Sequence, residues 1–262
     1  MSRALVVVTW CGSGSPFSRL ELDAAPDFEL VCFDYSGTQT VDWLPETGVR
    51  LLARATECKG QILDALAKTL ASTEVVYDYV SVIDDDVEIS VSAINQALRI
   101  GRRLGLLTFS PALTTDSLGY HSHMFQREGF LYRRVLWVEI MMPFIAMDLF
   151  LAAAPYYPLA ISAAGIDCFV YPVLAQLLPL EGGHAVLDCV VATHRREVTS
   201  GQRRFSNGCT AMEEAGRLRW LCQQRLAEQK PELLQDRDLR LLLGLAGQAS
   251  VGRAPIGADY KN

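Results

Sequence analysis

The sequence lacks paired cysteines. Its seven cysteines lie singly, without C-x-x-C spacing, which excludes a zinc ribbon and is typical of reduced thiols buried as small apolar residues. The first five residues lead into a strand pattern rather than a signal peptide. Both features predict a cytoplasmic protein.

An excess of basic residues is also absent. The chain has 24 lysines and arginines against 30 aspartates and glutamates, a net charge of -6, which excludes a broad basic face that wraps nucleic acid. With 50% hydrophobic and 21% charged residues in a length of 262, the chain is predicted to be globular and long enough for one large α/β domain with an appendage. Small-molecule chemistry is therefore favoured over nucleic-acid binding.

An unbroken segment of membrane-spanning length is likewise lacking. Residues 149–166 carry no charge and approach that length, but Pro155 and Pro158 interrupt them, and the hydroxyls of Tyr156 and Tyr157 would need partners in lipid. A buried helix followed by a turn is favoured. Peripheral contact with a membrane surface is an alternative that the sequence leaves open.

A short apolar segment that ends in three carboxylates is the centre of the sequence. Residues 79–83 read as a buried strand, and Asp84, Asp85 and Asp86, here called the acidic triplet, follow at its C-terminal tip. Ligands bind at that edge of an open α/β sheet. Adjacent carboxylates repel one another, so we expect a cation, Mg²⁺ or Mn²⁺, that carries the phosphates of a nucleotide. Turn formation or helix capping by the aspartates is the alternative.

Strand and helix patterns alternate through the first half of the chain. The alternation predicts βαβ units and a mainly parallel sheet flanked by helices. The predicted strands are Ala4–Thr9, Phe28–Phe33, Tyr79–Ile83 and Leu104–Ser110, and the predicted helices are Thr56–Leu70 and Ser90–Arg103.

Four residues near the first strand ends and helix are candidate nucleotide contacts. Thr9 and Cys11 lie where the first strand meets a glycine-containing turn whose small residues let a ligand approach, although a plain loop would look the same. Asp34 can accept hydrogen bonds from a ribose or base, or cap a turn. Lys59 lies in a first helical turn, where a cation opposes the helix dipole, so it indicates either a phosphate contact or a solvated lysine.

The acceptor side is predicted from acids in apolar surroundings. Glu139 lies in the predicted buried strand Trp137–Met147 and needs a partner there, either an acceptor hydroxyl or a salt bridge. Asp167 precedes an apolar helix, where it can cap the helix or serve as a rigidly held general base. His121 and His123 are expected at the surface or in the acceptor site, and Tyr132–Arg134 as a solvated edge.

A last predicted strand, Val186–His194, ends in histidine and is followed by arginines. A neutral imidazole can complete a carboxylate metal site, and the guanidinium groups of Arg195 and Arg196 can pair with diphosphate oxygens. A solvated basic loop is the alternative. Beyond it, helical spacing within residues 205–246 predicts two C-terminal helices that pack on the domain or on a second copy in a homodimer, and residues 247–262 are expected to form a flexible tail.

The order of these segments resembles the GT-A class of nucleotide-sugar-dependent glycosyltransferases, whose D-x-D motif ends a central strand, here as the acidic triplet. Residues 77–201 also resemble an uncharacterised, glycosyltransferase-like family best known from plants. The matching stretches are Tyr77–Tyr79, Ser110–Leu113, His121 with His123, Arg133-Arg134, Val138–Pro143, Gly165–Asp167 and Val186–His194.

The resemblance implies a GT-A (Rossmann-like) domain at residues 1–204, with a nucleotide-binding half, 1–110, and an acceptor half, 111–204. It implies that Asp84, Asp86 and His194 hold Mn²⁺ or Mg²⁺ at the donor diphosphate, and that Asp167 is the base of an inverting reaction. The implied function is transfer of a sugar from a nucleoside-diphosphate sugar to a hydroxyl of a glycan, lipid or small molecule.

Two other functions fit the same residues. A sugar-phosphate nucleotidyltransferase would also have an α/β sheet and metal-binding carboxylates, and residues 12–19 loosely resemble its glycine-rich loop. A non-catalytic sugar-nucleotide-binding or assembly subunit would keep the fold and use the C-terminal helices as its interface.

Overall fold

The computed structural model of the protein describes residues 3–44, 47–119, 121–197, 202–245 and 259–261. The strands are β1 Ala4–Trp10, β2 Leu20–Glu21, β3 Glu29–Asp34, β4 Arg50–Ala53, β5 Tyr79–Ile83, β6 Val87–Ser90, β7 Thr108–Leu113, β8 Phe130–Val135, β9 Phe144–Ala146, β10 His184–His194 and β11 Asp259–Lys261. The α-helices are α1 Lys59–Ala71, α2 Val91–Leu104, α3 Met147–Ala152, α4 Tyr171–Leu177, α5 Ala211–Gln229 and α6 Arg237–Leu242. Short 3₁₀ helices cover Ser122–Met124, Ala154–Leu159 and Pro231–Gln235, and a π-helical turn covers Ile166–Val170.

One mixed sheet organises the chain, in the order β11-β8-β10-β7-β9-β5-β1-β3-β4. Strands β5, β1, β3 and β4 are parallel, as are β7 and β10, whereas β9 and β8 run antiparallel to their neighbours. The α/β prediction is confirmed. Off this path, β6 pairs antiparallel with the end of β10, in a register that places His194 opposite Val87, next to the acidic triplet.

Two hydrophobic cores cover the two faces of the sheet. The alternation of side chains along β1 sends Leu5 and Val7 into one core, and Val6 and Val8 into the other. The first core also contains apolar residues of α1, α3, α4 and α5, and the second contains those of α2. Both faces of β1 are therefore buried, which explains its unbroken apolar sequence.

The uncharged segment 149–166 folds into the first of these cores. Helix α3 and the 3₁₀ helix that follows contribute Phe150 and Tyr157, both fully buried, and the hydroxyl of Tyr157 donates to Phe150 O at 2.9 Å. A buried helix and turn were the favoured prediction for this segment. Among the described residues, no helix is both long and apolar enough to cross a membrane.

Several boundaries differ from the sequence predictions. Strand β7 runs through Pro111 to Leu113, and its partner β10 has a register irregularity between Leu187 and Val191. Of the apolar stretch 137–147, only β9 is a strand, so Glu139 lies in a loop. Residues 259–261 of the expected tail form β11, which pairs with β8; residues 246–258 lie outside the described residues.

The predicted solvated edge at Tyr132–Arg134 is wrong. Arg133 on β8 is 0% exposed, and its guanidinium forms two hydrogen bonds with the Asp188 carboxylate, at 2.8 and 3.0 Å. It also donates to the carbonyls of His123 and Phe125, at 3.0 and 2.8 Å. The inward face of β8 brings the charge into the core, and Asp188, which lies in the irregular part of β10, compensates it.

We expect Arg133→Met to lower the free energy of unfolding by about 3–5 kcal/mol, because it leaves the Asp188 carboxylate buried without its cation. Urea denaturation followed by circular dichroism measures the change. The double variant Arg133→Met/Asp188→Leu should recover much of the loss, and Arg134→Met, on the partly exposed neighbour, should change stability by about 0.5 kcal/mol or less. Equal losses for Arg133→Met and Arg134→Met would contradict a structural ion pair.

Candidate active site

The acidic triplet lies at the C-terminal edge of the parallel strands, where β5 ends beside β1. Two hydrogen bonds fix its backbone: Asp84 N donates to Met141 O at 3.0 Å, and Asp85 N donates to the hydroxyl of Thr9 at 3.0 Å. Thr9, a predicted nucleotide contact, is buried. The Thr9 hydroxyl fixes the backbone of the triplet by accepting from Asp85 N.

Lys59 has a different role from the predicted phosphate contact. Its side chain is 7% exposed, and its ammonium donates to Asp84 Oδ1 at 2.8 Å, Val82 O at 3.0 Å and Met141 O at 2.9 Å. All three ammonium protons are thereby used within the protein. Lys59 is the first residue of α1, and its ammonium neutralises Asp84 from the protein interior at the end of β5. Burial nevertheless raises the pKa of Asp84 to about 6, against the opposing effect of Lys59.

Asp86 and His194 face each other across the β6–β10 pairing. His194 Nε2 lies 3.3 Å from Asp86 Oδ1, while its Nδ1 contacts Leu118 O. The Asp86 interaction raises the pKa of His194. Burial would raise the pKa of Asp86, but the adjacent imidazole of His194, and then the charge of Arg196, lower it. The structure thus joins a carboxylate and an imidazole that are far apart in sequence.

The two arginines after β10 point to different neighbours. Arg196 lies over the triplet, 3.3 Å from Asp85 and 3.4 Å from Asp86, and its side chain is 59% exposed. Arg195, also a predicted phosphate contact, instead pairs with Glu88 at 2.6 Å and Asp116 at 2.7 Å. Of the two guanidinium groups, only that of Arg196 contacts the triplet; Arg195 contributes its backbone N–H, which donates to Asp86 O at 2.9 Å.

Asp85, the middle residue of the triplet, also accepts a hydrogen bond from the hydroxyl of Tyr35, at 2.8 Å. Sequence reasoning missed Tyr35, although it directly follows Asp34 at the tip of β3. A pocket beside Asp85 is lined by Trp10, Cys11, Arg19 and Asp84, among others. The predicted contact Cys11 is therefore in place, at the mouth of a pocket next to the triplet.

Asp34 is committed to its own turn. Its carboxylate is 0% exposed and accepts from Ser36 N at 2.9 Å, Ser36 Oγ at 2.6 Å and Gln39 N at 3.0 Å. The turn-capping alternative describes this residue better than a contact with ribose.

Glu139 and Asp167 bring two further carboxyls to the same region. Asp167 lies in the π-helical turn after Gly165, so it is a first-turn residue rather than the helix cap, and it accepts from Cys168 N at 2.7 Å and Ile140 N at 3.2 Å. Glu139 accepts from Met141 N at 2.8 Å. Burial raises the pKa of Asp167 to about 6. Burial, and next the charge of Asp167, raise the pKa of Glu139 to about 7.

His121 and His123 pack on Trp137. Their rings meet the indole edge-on, with centroids 4.6 and 4.7 Å away, and His123 is buried. Burial lowers the pKa of His123 to about 4, so its imidazole is neutral at pH 7. Their shared contact, Trp137, lies two residues before Glu139. The acceptor-site interpretation of these histidines stays a prediction.

The residues present fit a divalent cation at Asp86 and His194. Asp86 Oδ1 is buried and, among the described residues, accepts no hydrogen bond of good geometry. With Nδ1 engaged at Leu118 O, a neutral His194 would turn the lone pair of Nε2 toward that oxygen, so either a proton or a cation must lie between them. Asp84 pairs with Lys59 instead, and within the described part of the chain no group of three histidine, cysteine or acidic residues converges as a complete metal site.

Comparison with known proteins establishes the fold. No family model matches the sequence, and no curated protein matches it. Among solved structures, S. aureus TarS in complex with UDP-GlcNAc aligns with a TM-score of 0.60 and 13% identity, over 93% of this chain and 70% of that one. GalNAc-T7 with UDP, GalNAc and Mn²⁺ aligns with a TM-score of 0.56 and 12% identity, over 83% of this chain and 47% of that one. The resemblance to a plant family stays a prediction, whereas these structures show that the chain has the GT-A fold.

Proposed function

We propose that this protein is a metal-dependent glycosyltransferase that moves a sugar from a nucleoside-diphosphate sugar to an acceptor hydroxyl. The observation that carries the proposal is the meeting of Asp86 and His194 at the sheet edge where the half-buried Glu139 and the buried Asp167 lie. The fold supports it, because its solved neighbours hold UDP-GlcNAc in one case and UDP with Mn²⁺ in another.

The donor would bind over the acidic triplet. Arg196 is suited to contact the diphosphate, because its guanidinium is largely exposed and its contacts with Asp85 and Asp86 are long, at 3.3 and 3.4 Å. The pocket beside Trp10 and Cys11 would take the nucleoside. Mn²⁺ or Mg²⁺ held by Asp86 and His194 would supply positive charge against the departing diphosphate.

Asp167 would act as the base. Its raised pKa of about 6 leaves it ionised at pH 7 and more basic than an ordinary aspartate. It would take the proton of the acceptor hydroxyl while that oxygen bonds to the anomeric carbon; the bond from this carbon to the phosphate oxygen breaks, and its electron pair leaves with the nucleoside diphosphate. Glu139, with a pKa of about 7, would hold the acceptor hydroxyl by a hydrogen bond. Attack opposite the leaving group inverts the anomeric centre.

We expect one nucleoside diphosphate to bind more tightly when Mn²⁺ is present. Calorimetry with UDP, GDP, CDP, dTDP and CMP, each with and without Mn²⁺, identifies the nucleobase of the donor. Asp86→Ala should abolish the gain from Mn²⁺, because it removes one of the two groups that face each other at the cation site.

Glu74→Gln is the matched control for this measurement. Glu74 is an exposed carboxylate before β5, at the opposite edge of the sheet, so its loss should leave binding unchanged. Binding of none of the nucleotides would contradict the proposal and favour a non-catalytic role, and Mn²⁺-independent binding would contradict the metal assignment.

Asp167→Asn should lower kcat for release of the nucleoside diphosphate from its sugar by about 10²–10⁴-fold, because general base catalysis is lost. The dissociation constant for the nucleoside diphosphate should stay within about twofold, since Asp167 lies on the acceptor side. NMR of the sugar product should show an anomer opposite to that of the donor. Retained turnover in Asp167→Asn, or a product with the donor's configuration, would rule out Asp167 as the base of an inverting reaction.

The pH profile offers a further check. Because the base must be deprotonated, kcat/KM should fall about tenfold per unit as the pH drops below about 6, the pKa given by the burial of Asp167. The fall should be absent from the residual activity of Asp167→Asn. Circular dichroism at each pH verifies that the protein is folded, and a wild-type profile that stays flat through this range would refute the assignment.

A further inference from the structure

Helix α5 carries a buried carboxylate that bonds to a turn outside the helix. Glu214 is 0% exposed, and each of its oxygens accepts twice. Oε1 accepts from Ile161 N at 2.9 Å and Asn207 Nδ2 at 2.6 Å, and Oε2 accepts from Ser162 N at 2.9 Å and from Ser162 Oγ. Four donors thus surround a charge that burial would otherwise disfavour strongly.

Capping of α5 does not account for Glu214. The helix is capped by Thr210, whose hydroxyl accepts from Glu213 N, while the Glu213 carboxylate accepts from Thr210 N. This capping box already satisfies the helix start. The donors to Glu214 belong to residues before α5, so its carboxylate fastens other segments to the helix.

The fastened turn leads directly to Asp167. Gly165 begins the π-helical turn and contacts α5 next to Glu214, where a Cβ at residue 165 would lie 3.0 Å from Ala215 Cα. Amides of the turn bond back to the carbonyl of Gly165, at 3.1 Å. The first turn of α5 therefore holds both ends of the short segment 161–165 that sets where Asp167 lies.

We propose that Glu214 is a positioning residue that places Asp167 for proton abstraction. The inference rests on the proposed function and assigns to α5 a part in the active site. Glu214 lies outside the reacting groups; it acts through the turn 161–165, and its hydrogen bonds decide whether the Asp167 carboxylate meets the acceptor hydroxyl.

The test measures Glu214→Gln with and without Asp167→Asn. The NH2 group of the substituted glutamine would face one of the donors that now bond to the Glu214 carboxylate, so the turn 161–165 would shift. A displacement of about 1 Å can lower kcat by about 10²-fold. In the otherwise unmodified protein, we expect Glu214→Gln to lower kcat for nucleoside diphosphate release about 10–100-fold. In the Asp167→Asn variant the same substitution should lower kcat less than about twofold, because the carboxylate that Glu214 positions is already absent. The dissociation constant of UDP, or of the diphosphate that binds, should be unchanged.

Leu226→Ala is the control for stability alone. Leu226 is fully buried on the same helix, several turns away, so its loss should lower Tm while leaving kcat unchanged well below Tm. Should Glu214→Gln not fold, Ser162→Ala is measured in the same two backgrounds, with the same non-additivity expected. This variant removes the hydroxyl that donates to Glu214 and accepts from Ala164 N within the same turn.

Equal fold-losses from Glu214→Gln in both backgrounds would overturn the positioning role while leaving the transferase proposal intact. Absence of nucleotide-sugar turnover in the unmodified protein would overturn both proposals. The two failures are therefore distinguishable.

Discussion

The buried ammonium of Lys59 is the interaction on which the rest of the site depends. It joins β5, the acidic triplet and the loop before β9 through bonds to Val82 O, Asp84 and Met141 O. Unit charges about 4 Å apart interact by about 4 kcal/mol at an effective dielectric of about 20, so one internal cation is decisive where several acids adjoin. Even with it, the pKa of Asp84 is raised to about 6. The exposed Arg196 adds positive charge on the solvent-facing side of the triplet, where we propose that a cation binds at Asp86.

The loop 139–141 connects the two chemical parts of the site. Met141 O accepts from both Lys59 and Asp84 N, and the amide of Ile140 donates to Asp167. The triplet and the proposed base, Asp167, are therefore held by backbone groups of two consecutive residues, Met141 and Ile140. A regular strand there would spend these groups on a sheet ladder, which explains why the loop is irregular although its sequence is apolar.

Local patterns sufficed for the part of the fold that lies within short segments. Strand β5, the helix cap at Ser90 and the end of β10 at His194 follow from apolar runs and neighbouring residues, and parallel pairing then brings the strand ends to one edge. The partners of Lys59 and Arg133 lie tens of residues away along the chain. Such partners depend on packing, so an apolar or charged pattern by itself indicated a phosphate contact for one and a solvated edge for the other.

The irregularity in β10 has a consequence for the phase of the strand. Before it, Leu187 lies opposite Pro111; after it, Val191 lies opposite Ala112, so the intervening residues, Asp188 among them, are absorbed without a matching advance along β7. Side chains alternate along a strand, and a shift of one residue exchanges its faces. The same irregularity that contains Asp188 therefore helps to determine that an imidazole, and not a neighbouring hydroxyl or guanidinium, lies opposite Val87 and beside Asp86. The identity of the group at the sheet edge thus depends on whether the number of extra residues in this irregularity, four to six positions before His194, is odd or even.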